Sequence, residues 1–440
     1  MEIEKEITEN KKQTIDHSDQ SFWTNVQKQF RKNRIAVYSL KFIYFLITIA
    51  LLADFIANEK PLVAVYKGNL SFPVLRSYAV DFGISEWPKD FQNVEWKELK
   101  YDFVVFPPIP YLPKNIDYNN SQSVSPFATQ DVKSKRWRHW MGTDELGHDV
   151  LAGMIHATRI ALTVGLVSMS IASLIGIFLG AMAGYYGDNK LKVSRGRIFL
   201  NCIFLFFAFF YAFGSRSYIL ADAISVSIGS FMIQLIISLL IFFVMMYIAN
   251  RLTKFSKKIP YFKKKINIPI DIIISRTIEI MVSIPTLFLI ISIAAIVTKP
   301  SLYITMIIIG LTSWTGIARF IRAELLRVRN LEYIEAAHAL GFSEGRTLLR
   351  HAIPNALSPV LIAVAFGIAT AILIESTLSF LGIGVPTETI TWGSLLSSAR
   401  QSPTAWWLAI FPGLAIFITV TIFNLVGEGL TDALDPRLRK

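Results

Sequence analysis

The side chains able to make or break bonds are few, and their spacing argues against hydrolytic chemistry. His139, His148 and His156 flank Asp144, Glu145 and Asp149. His148 and His156 stand eight residues apart, which helical spacing brings toward one face. No His-Glu-x-x-His pair of the zinc-binding kind occurs. Gly142 and Gly147 bracket four residues as in a phosphate loop, but His148 stands where that loop requires lysine. Thr143, Asp144 and Asp149 read instead as residues that start and cap a helix. The single cysteine, Cys202, excludes an intramolecular disulfide and any Cys-based zinc site. Glu375 is unusual for another reason, because it sits in the apolar run Ala371–Phe380. A carboxylate inside a bilayer is costly and is a functional-site hypothesis by default. Two roles stay open for it: lining a solute path and meeting a cationic group, or hydrogen bonding within the packing beside Ser376 and Thr377.

The elements that position these residues follow from composition. The chain has 440 residues, 53% hydrophobic and 17% charged, with mean hydropathy +0.46 and net charge +12. Soluble domains are about 25% charged, and disordered chains need low hydrophobicity. Both classes are disfavoured. The positive charge fits either nucleic-acid binding or the basic excess on one side of a membrane. Eight apolar runs have roughly the length a membrane helix needs: Ile35–Ile56, Ile160–Tyr185, Ile198–Phe213, Ala221–Ala249, Ile278–Val297, Leu302–Phe320, Pro359–Leu381 and Trp406–Val426. The third is short and the fourth long for a span.

The basic residues decide between the two readings of charge. Lys190, Lys192, Arg195 and Arg197 lie in one loop, and Arg251, Lys254, Lys257, Lys258, Lys263, Lys264 and Lys265 lie in another. They sit between apolar runs and not on a soluble face interleaved with aromatics, so nucleic acid is not an expected partner. Placing these loops and residues 319–350 in the cytoplasm puts both termini there as well. The turns near Arg216, Lys299 and Glu388 then lie outside, with residues 57–159. That external region is Pro-rich and polar, and is expected to form a small cap. Tyr101–Phe106 reads as a strand and Lys114–Ser125 as loop. Arg276 and Glu279 are expected to pair at the cytoplasmic interface. Gly310, Ser313, Thr315 and Gly316 offer a packing surface of small residues. No internal repeat is visible, so the inverted-repeat signature of secondary transporters has no support.

Between two of these runs stand Glu335, Ala336, Ala337 and Gly341, then His351 and Pro354. The Glu-Ala-Ala start favours helix, Gly341 suits a helix stop, Ser343 suits a cap, and Pro354 should end the second helix. The product is a helix–turn–helix knob. Its spacing resembles the coupling motif of ABC importer permeases: Glu-Ala-Ala, three residues, Gly, nine residues, then Ile-x-Leu-Pro. His351 and Ile353 depart from the two aliphatic positions. Met141 to Val150, with Gly142, Thr143, Asp144, Gly147 and Asp149, resembles the Leu-Gly-Thr-Asp-x-x-Gly-Arg-Asp-Val motif of the C-type subunit of oligopeptide, dipeptide and nickel importers. Phe22–Leu40, Ser379–Val385, Trp392–Leu396 and Asp432–Arg437 resemble the same subunit. Ile56–Leu62 resembles the sub-branch that includes microcin C uptake permeases.

The resemblance implies an all-α polytopic membrane protein of the binding-protein-dependent ABC importer permease fold, with six core spans. It divides the chain into a cytoplasmic lead-in 1–34, a first span 35–56, an external region 57–159, a second core span 160–188 and a permease core 271–440 containing the coupling loop 330–355. Residues 189–270 depart from the family pattern and are expected to add a two-span hairpin, since a single span would put the knob outside. The implied function is the translocation path for peptides or similar solutes in a bacterial inner membrane. The implied partners are a second permease subunit, two cytosolic ATPase subunits and an extracytoplasmic solute-binding protein, with lipid around the spans. Neither cofactor, metal nor catalytic residue is implied for this chain. An ion-coupled secondary transporter or a channel is the alternative, and would need more intramembrane carboxylates than Glu375.

Overall fold

A computed structural model of the chain describes residues 22–434, except 93, 257–258, 298–299, 385 and 387. Most of the 1–34 lead-in and the end of the Asp432–Arg437 motif therefore lie outside the described residues. In chain order the principal elements are α1 (Phe22–Lys32), α2 (Arg34–Leu51), β1 (Val63–Tyr66), β2 (Asn69–Ser71), α3 (Pro73–Asp81), β3 (Phe103–Val105) and α4 (Val150–Ala181). Then come β4 (Lys192–Ser194), α5 (Arg195–Phe209), α6 (Ser217–Val226), α7 (Ile228–Ser256), β5 (Lys265–Asn267), α8 (Ile270–Ser283) and α9 (Thr286–Ile296). The remainder is α10 (Leu302–Val328), α11 (Glu332–Ala339), α12 (Glu344–Thr347), α13 (Ser358–Phe380), α14 (Trp392–Gln401) and α15 (Trp406–Leu434). Among the described residues, seven helices are long and apolar enough to cross a membrane, and α8 with α9 would make an eighth span.

Several boundaries differ from those expected. The run Ile278–Val297 is not one helix but breaks at Ser283–Pro285, because a residue ahead of proline avoids helical geometry. The second core helix begins at Val150, ten residues early, where the Asp149 carboxylate accepts the Ala152 amide at 2.6 Å. Arg216 is not in a turn between spans. It lies within the span Arg195–Ile224, and the chain reverses around Ser227. Charge alone marked Arg216 as interfacial, but Gln234 Oε1 (2.6 Å) and Ser238 Oγ (3.1 Å) accept hydrogen bonds from its guanidinium. That answers the polar group inside the hairpin.

Two compact units divide the chain. Among the described residues, the first is built from 22–177, 284–320 and 354–434. Its core joins Val164 of α4, Ile290 of α9, Met306 and Ile309 of α10, and Ala371 and Leu378 of α13. Helices α4 and α10 touch closely because both lack side chains at the crossing. A Cβ on Gly176 would lie 2.8 Å from the Ile317 Cβ, and one on Gly310 would lie 2.8 Å from the Ile171 Cβ. Gly316, expected to join this surface, faces open space. Asn33 caps α2 through the Ala36 amide (3.1 Å) and donates to Asp432 of α15 (3.1 Å).

The 57–149 part of this unit holds a three-stranded antiparallel sheet in the order β2-β1-β3, with Val63 opposite Val105 and Ala64 opposite Ser71. Only β3 was foreseen. Beside the sheet lies buried His139. Its Nδ1 meets Asp149 at 2.7 Å and its Nε2 meets Asp117 at 3.1 Å. Burial alone would raise the Asp117 pKa. Hydrogen bonds from the Asn120 side chain and His139, with the Asn119 amide, outweigh burial and hold it below its ordinary value.

The second unit, 178–283 and 321–353, contains the added hairpin. β4 and β5 pair at its base, Lys192 opposite Asn267, and α5, α6 and α7 rise from that ribbon. Only 11% and 6% of its two apolar stretches is buried, against 61% for α10, so its surface is suited to lipid.

A lowered carboxylate pKa contributes stability above the ordinary carboxylate value that is lost as pH falls through the depressed one. Tryptophan fluorescence of the full chain in detergent should therefore hold steady from neutrality to about pH 5 and change only below about pH 4. Asp117→Asn should abolish most of that change. A transition near pH 6 would contradict the assignment.

Candidate functional site

The Glu335–Pro354 stretch folds as two short helices meeting at a left-handed glycine. α11 stops where Gly341 takes φ +78°. The Gly341 amide bonds to the His338 carbonyl (2.9 Å) and the Phe342 amide to the Ala337 carbonyl (3.1 Å). This is the paired closure that a glycine just past a helix end permits. Ser343 then caps α12, accepting the Arg346 amide at 3.4 Å. The second arm does not end before Pro354. It widens into a π-helical turn at Leu348–Ala352 and stays helical through Ala356. A wider turn relieves the clash that proline makes in an ordinary helix.

The two arms brace one another. The Phe342 and His351 rings stack, with centroids 5.7 Å apart and planes inclined by 3°. Ile334, Ala337, Thr347 and Leu348 are buried, while Glu335 and Ala336 are exposed. Two leucines are exposed against the rule for large apolar groups: Leu340 at 75% and Leu349 at 69%. The elbow thus presents an acidic first turn and two bare leucines at its surface.

Contacts within the same unit anchor the elbow. Tyr185, in the π-helical turn Met182–Tyr186 that closes α4, sets its hydroxyl 3.4 Å from His338 Nε2. Arg329 donates to the Gly184 carbonyl at 3.1 Å. Arg322 of α10 grips both oxygens of Asp271 at the start of α8, with Nη2 to Oδ2 at 2.9 Å. Lys190 and Glu344 lie 3.7 Å apart. The helix ends on both sides of the elbow are thereby joined through side chains. Arg276 and Glu279 pair as expected, at 2.5 Å.

The other sequence-selected residues lie in the first unit. Glu375 is 1% exposed. Its carboxylate accepts Ser379 Oγ at 2.6 Å, Ser376 Oγ at 3.5 Å and the Thr391 hydroxyl. Thr377, expected as a partner, bonds instead to the Leu373 carbonyl. Thr391 and Ser394 form a capping box on α14, so Glu375 ties α13 to the start of α14. In the Met141–Val150 motif, Asp144 Oδ1 takes the amides of Leu146, Gly147 and His148 at 2.8–3.0 Å, making a turn and not a helix start. Thr143 does not start a helix either: it donates to the Asn120 carbonyl at 2.6 Å and accepts the Val124 amide. Gly142 and Gly147 both have positive φ in this turn.

Arg322, Asp271, Tyr185 and Arg329 were not singled out from the sequence, since partners 51 to 153 residues apart leave no local spacing. The Arg322–Asp271 pair should show a coupling of about 1–3 kcal/mol in a thermal double-mutant cycle with Arg322→Gln and Asp271→Asn. Additive effects would show that the pair carries no shared energy.

Comparison with known proteins supplies the context. The model of the binding-protein-dependent transport system inner membrane component matches residues 262–440, and that of the N-terminal TM domain of oligopeptide transport permease C matches 21–70. The inner membrane ABC transporter permease protein YejE of Escherichia coli (strain K12) is 28% identical over 93% of this chain and 95% of its own. The peptidoglycan transport system permease protein YejE of Agrobacterium fabrum is 26% identical over 94% and 92%. The dipeptide transport system permease protein DppC of Alkalihalophilus pseudofirmus is 29% identical over 68% and 73%. With the apolar helices, these matches support a multi-pass ABC importer permease of the oligopeptide/dipeptide family, a family whose permeases are non-catalytic membrane subunits.

Proposed function

We propose that this chain, paired with a second permease subunit, forms the path by which peptides or similar solutes enter a bacterial cell. A binding protein would deliver solute to the external face, and two cytosolic ATPases would drive transport by hydrolysing ATP. The observation that carries this reading is the elbow, with Leu340 and Leu349 bare on a rigid, stacked frame. The peptide substrate is supported by the names of the relatives, which include dipeptide and peptide permeases.

In this reading both termini and residues 330–355 face the cytoplasm, and residues 57–159 face outward. Closure of the ATPases displaces Glu335, Ala336, Ala337 and Gly341 at the turn, with His351 and Pro354 on the second arm. The Tyr185, Arg329 and Arg322 contacts pass that displacement to the ends of α4, α10 and α8. Residues 189–270 stand as a hairpin covered by lipid. Glu375, sealed under α14, acts as a packing lock and does not meet solute.

Two measurements test this. In proteoliposomes holding the complete transporter and its binding protein, a Glu335→Ala, Gly341→Val double variant should lower ATP-driven uptake tenfold or more, about 1.4 kcal/mol or greater. Unimpaired uptake would remove the coupling role. With Cys202→Ser as background, Ser227→Cys should react with an impermeant maleimide from outside intact spheroplasts. Labelling from the cytoplasmic side alone would overturn the hairpin topology.

A further inference from the structure

The part of the first unit that we read as external carries a half-open cavity of about 610 Å³, within the size range of small-molecule sites. Its lining is mixed in charge and includes Lys97, Tyr111, Trp137, Glu59, Glu95 and Asp131. Lys97 is the unusual member. Its ammonium stands 3.5 Å from the centroid of the Tyr111 ring and 5.0 Å from that of Trp137. Among the described residues, no carboxylate comes within ion-pair distance of it. Of the neighbouring charges, Lys133 lies beside Glu98, Lys114 beside Glu388, and Asp117 beside His139. A cation on two aromatic faces is attracted by them but is not neutralised.

Tyr111 is rigidly held, which fixes the platform. Its hydroxyl donates to the Trp137 carbonyl at 2.6 Å, and its ring packs on His139 with centroids 4.3 Å apart. Glu59 accepts from the Asn115 side chain, which orients it. The cavity therefore carries a pre-positioned ammonium without a close anion, and carboxylates able to take a cation. We propose that it binds a short zwitterionic peptide, with the peptide carboxylate on Lys97 and the peptide ammonium among Glu59, Glu95 and Asp131.

This inference rests on the peptide-importer reading and deepens it. The permease would itself hold solute at its outer face, apart from the membrane path. Burial draws the Lys97 pKa down to about 8, against the opposing pull of Asp117, Glu59, Asp149 and Glu95. A bound carboxylate returns to that ammonium the stabilisation that burial removes. The charges of both signs gathered in one concave pocket suit the two ends of a short zwitterion.

The test uses the complete transporter in lipid nanodiscs, without its binding protein, titrated calorimetrically with trialanine and with N-acetyl-trialanine amide. Trialanine should bind, and the doubly blocked peptide should bind at least tenfold more weakly. Lys97→Gln should cost trialanine affinity about tenfold or more, the effect of losing a charged hydrogen-bond partner. The blocked peptide needs no variant, so it reads the same chemistry if Lys97→Gln fails to fold. Equal affinity for the two peptides, unchanged affinity in a folded Lys97→Gln variant, or no trialanine binding would each overturn the proposal. Trialanine failing to bind while Lys97→Gln weakens association with the binding protein would overturn it in favour of a docking socket. ATP-driven trialanine uptake separates the two readings. Uptake without cavity binding defeats only the cavity, whereas binding without uptake defeats only the peptide-import reading.

Discussion

Hydrocarbon offers a peptide group no hydrogen-bond partner, so every backbone amide and carbonyl inside the bilayer must be paired within its own segment. Long helices follow from that requirement, and departures from regular helix fall both at helix ends and at breaks within spans. The π-helical turns lie at Met182–Tyr186 and Leu348–Ala352, the proline break at Ser283–Pro285, and the left-handed residue of the elbow at Gly341. A third π-helical turn, Phe210–Gly214, precedes Arg216 inside the hairpin. There the polar demand is answered by Gln234 and Ser238.

The elbow gains its shape from the same rule applied in reverse. Outside the hydrocarbon a helix end can be capped by glycine geometry and a serine hydroxyl, so eight residues of α11 and the first turn of α12 meet at a fixed angle. The Phe342–His351 stack and the Tyr185–His338 contact make this a braced elbow and not a loose loop. Arg322 gripping Asp271 joins α10 to α8 within the same unit. Under the proposed mechanism these contacts turn a small displacement into movement of helix ends.

Different layers of this architecture were legible to different degrees. Apolar runs announced the spans, because burial in lipid imposes length and composition directly. The Gly341 stop and Ser343 cap were readable, since capping is a local property of the chain. Helix ends were not. Asp149 extended α4 outward, and Pro285 split a run whose composition was uniformly apolar. The Arg322–Asp271 and His139–Asp117–Asp149 contacts were illegible, because each depends on which distant segments the fold brings together. Arg216 was misread because charge usually marks an interface, while its partners lie on the next helix. The histidines near Asp144 and Asp149 looked like possible ligands. In the structure His139 fills both nitrogens with carboxylates and His148 Nδ1 meets Asp144 at 2.8 Å. The net charge of +12 also has a local source: residues 189–270 hold twelve basic residues and one acidic. That charge surrounds the base of a hairpin whose sides are almost bare, a combination suited to a membrane with anionic headgroups.

The central claim is that the elbow touches the ATPase. Site-specific cross-linking from Leu340→Cys, in a Cys202→Ser background of the complete transporter, tests it most directly. The expected result is a disulfide or short bismaleimide cross-link to a cysteine in the ATPase surface, with a yield that changes when ATP is bound. A cross-link confined to the other permease subunit, or none in a transporter that remains active, would contradict it.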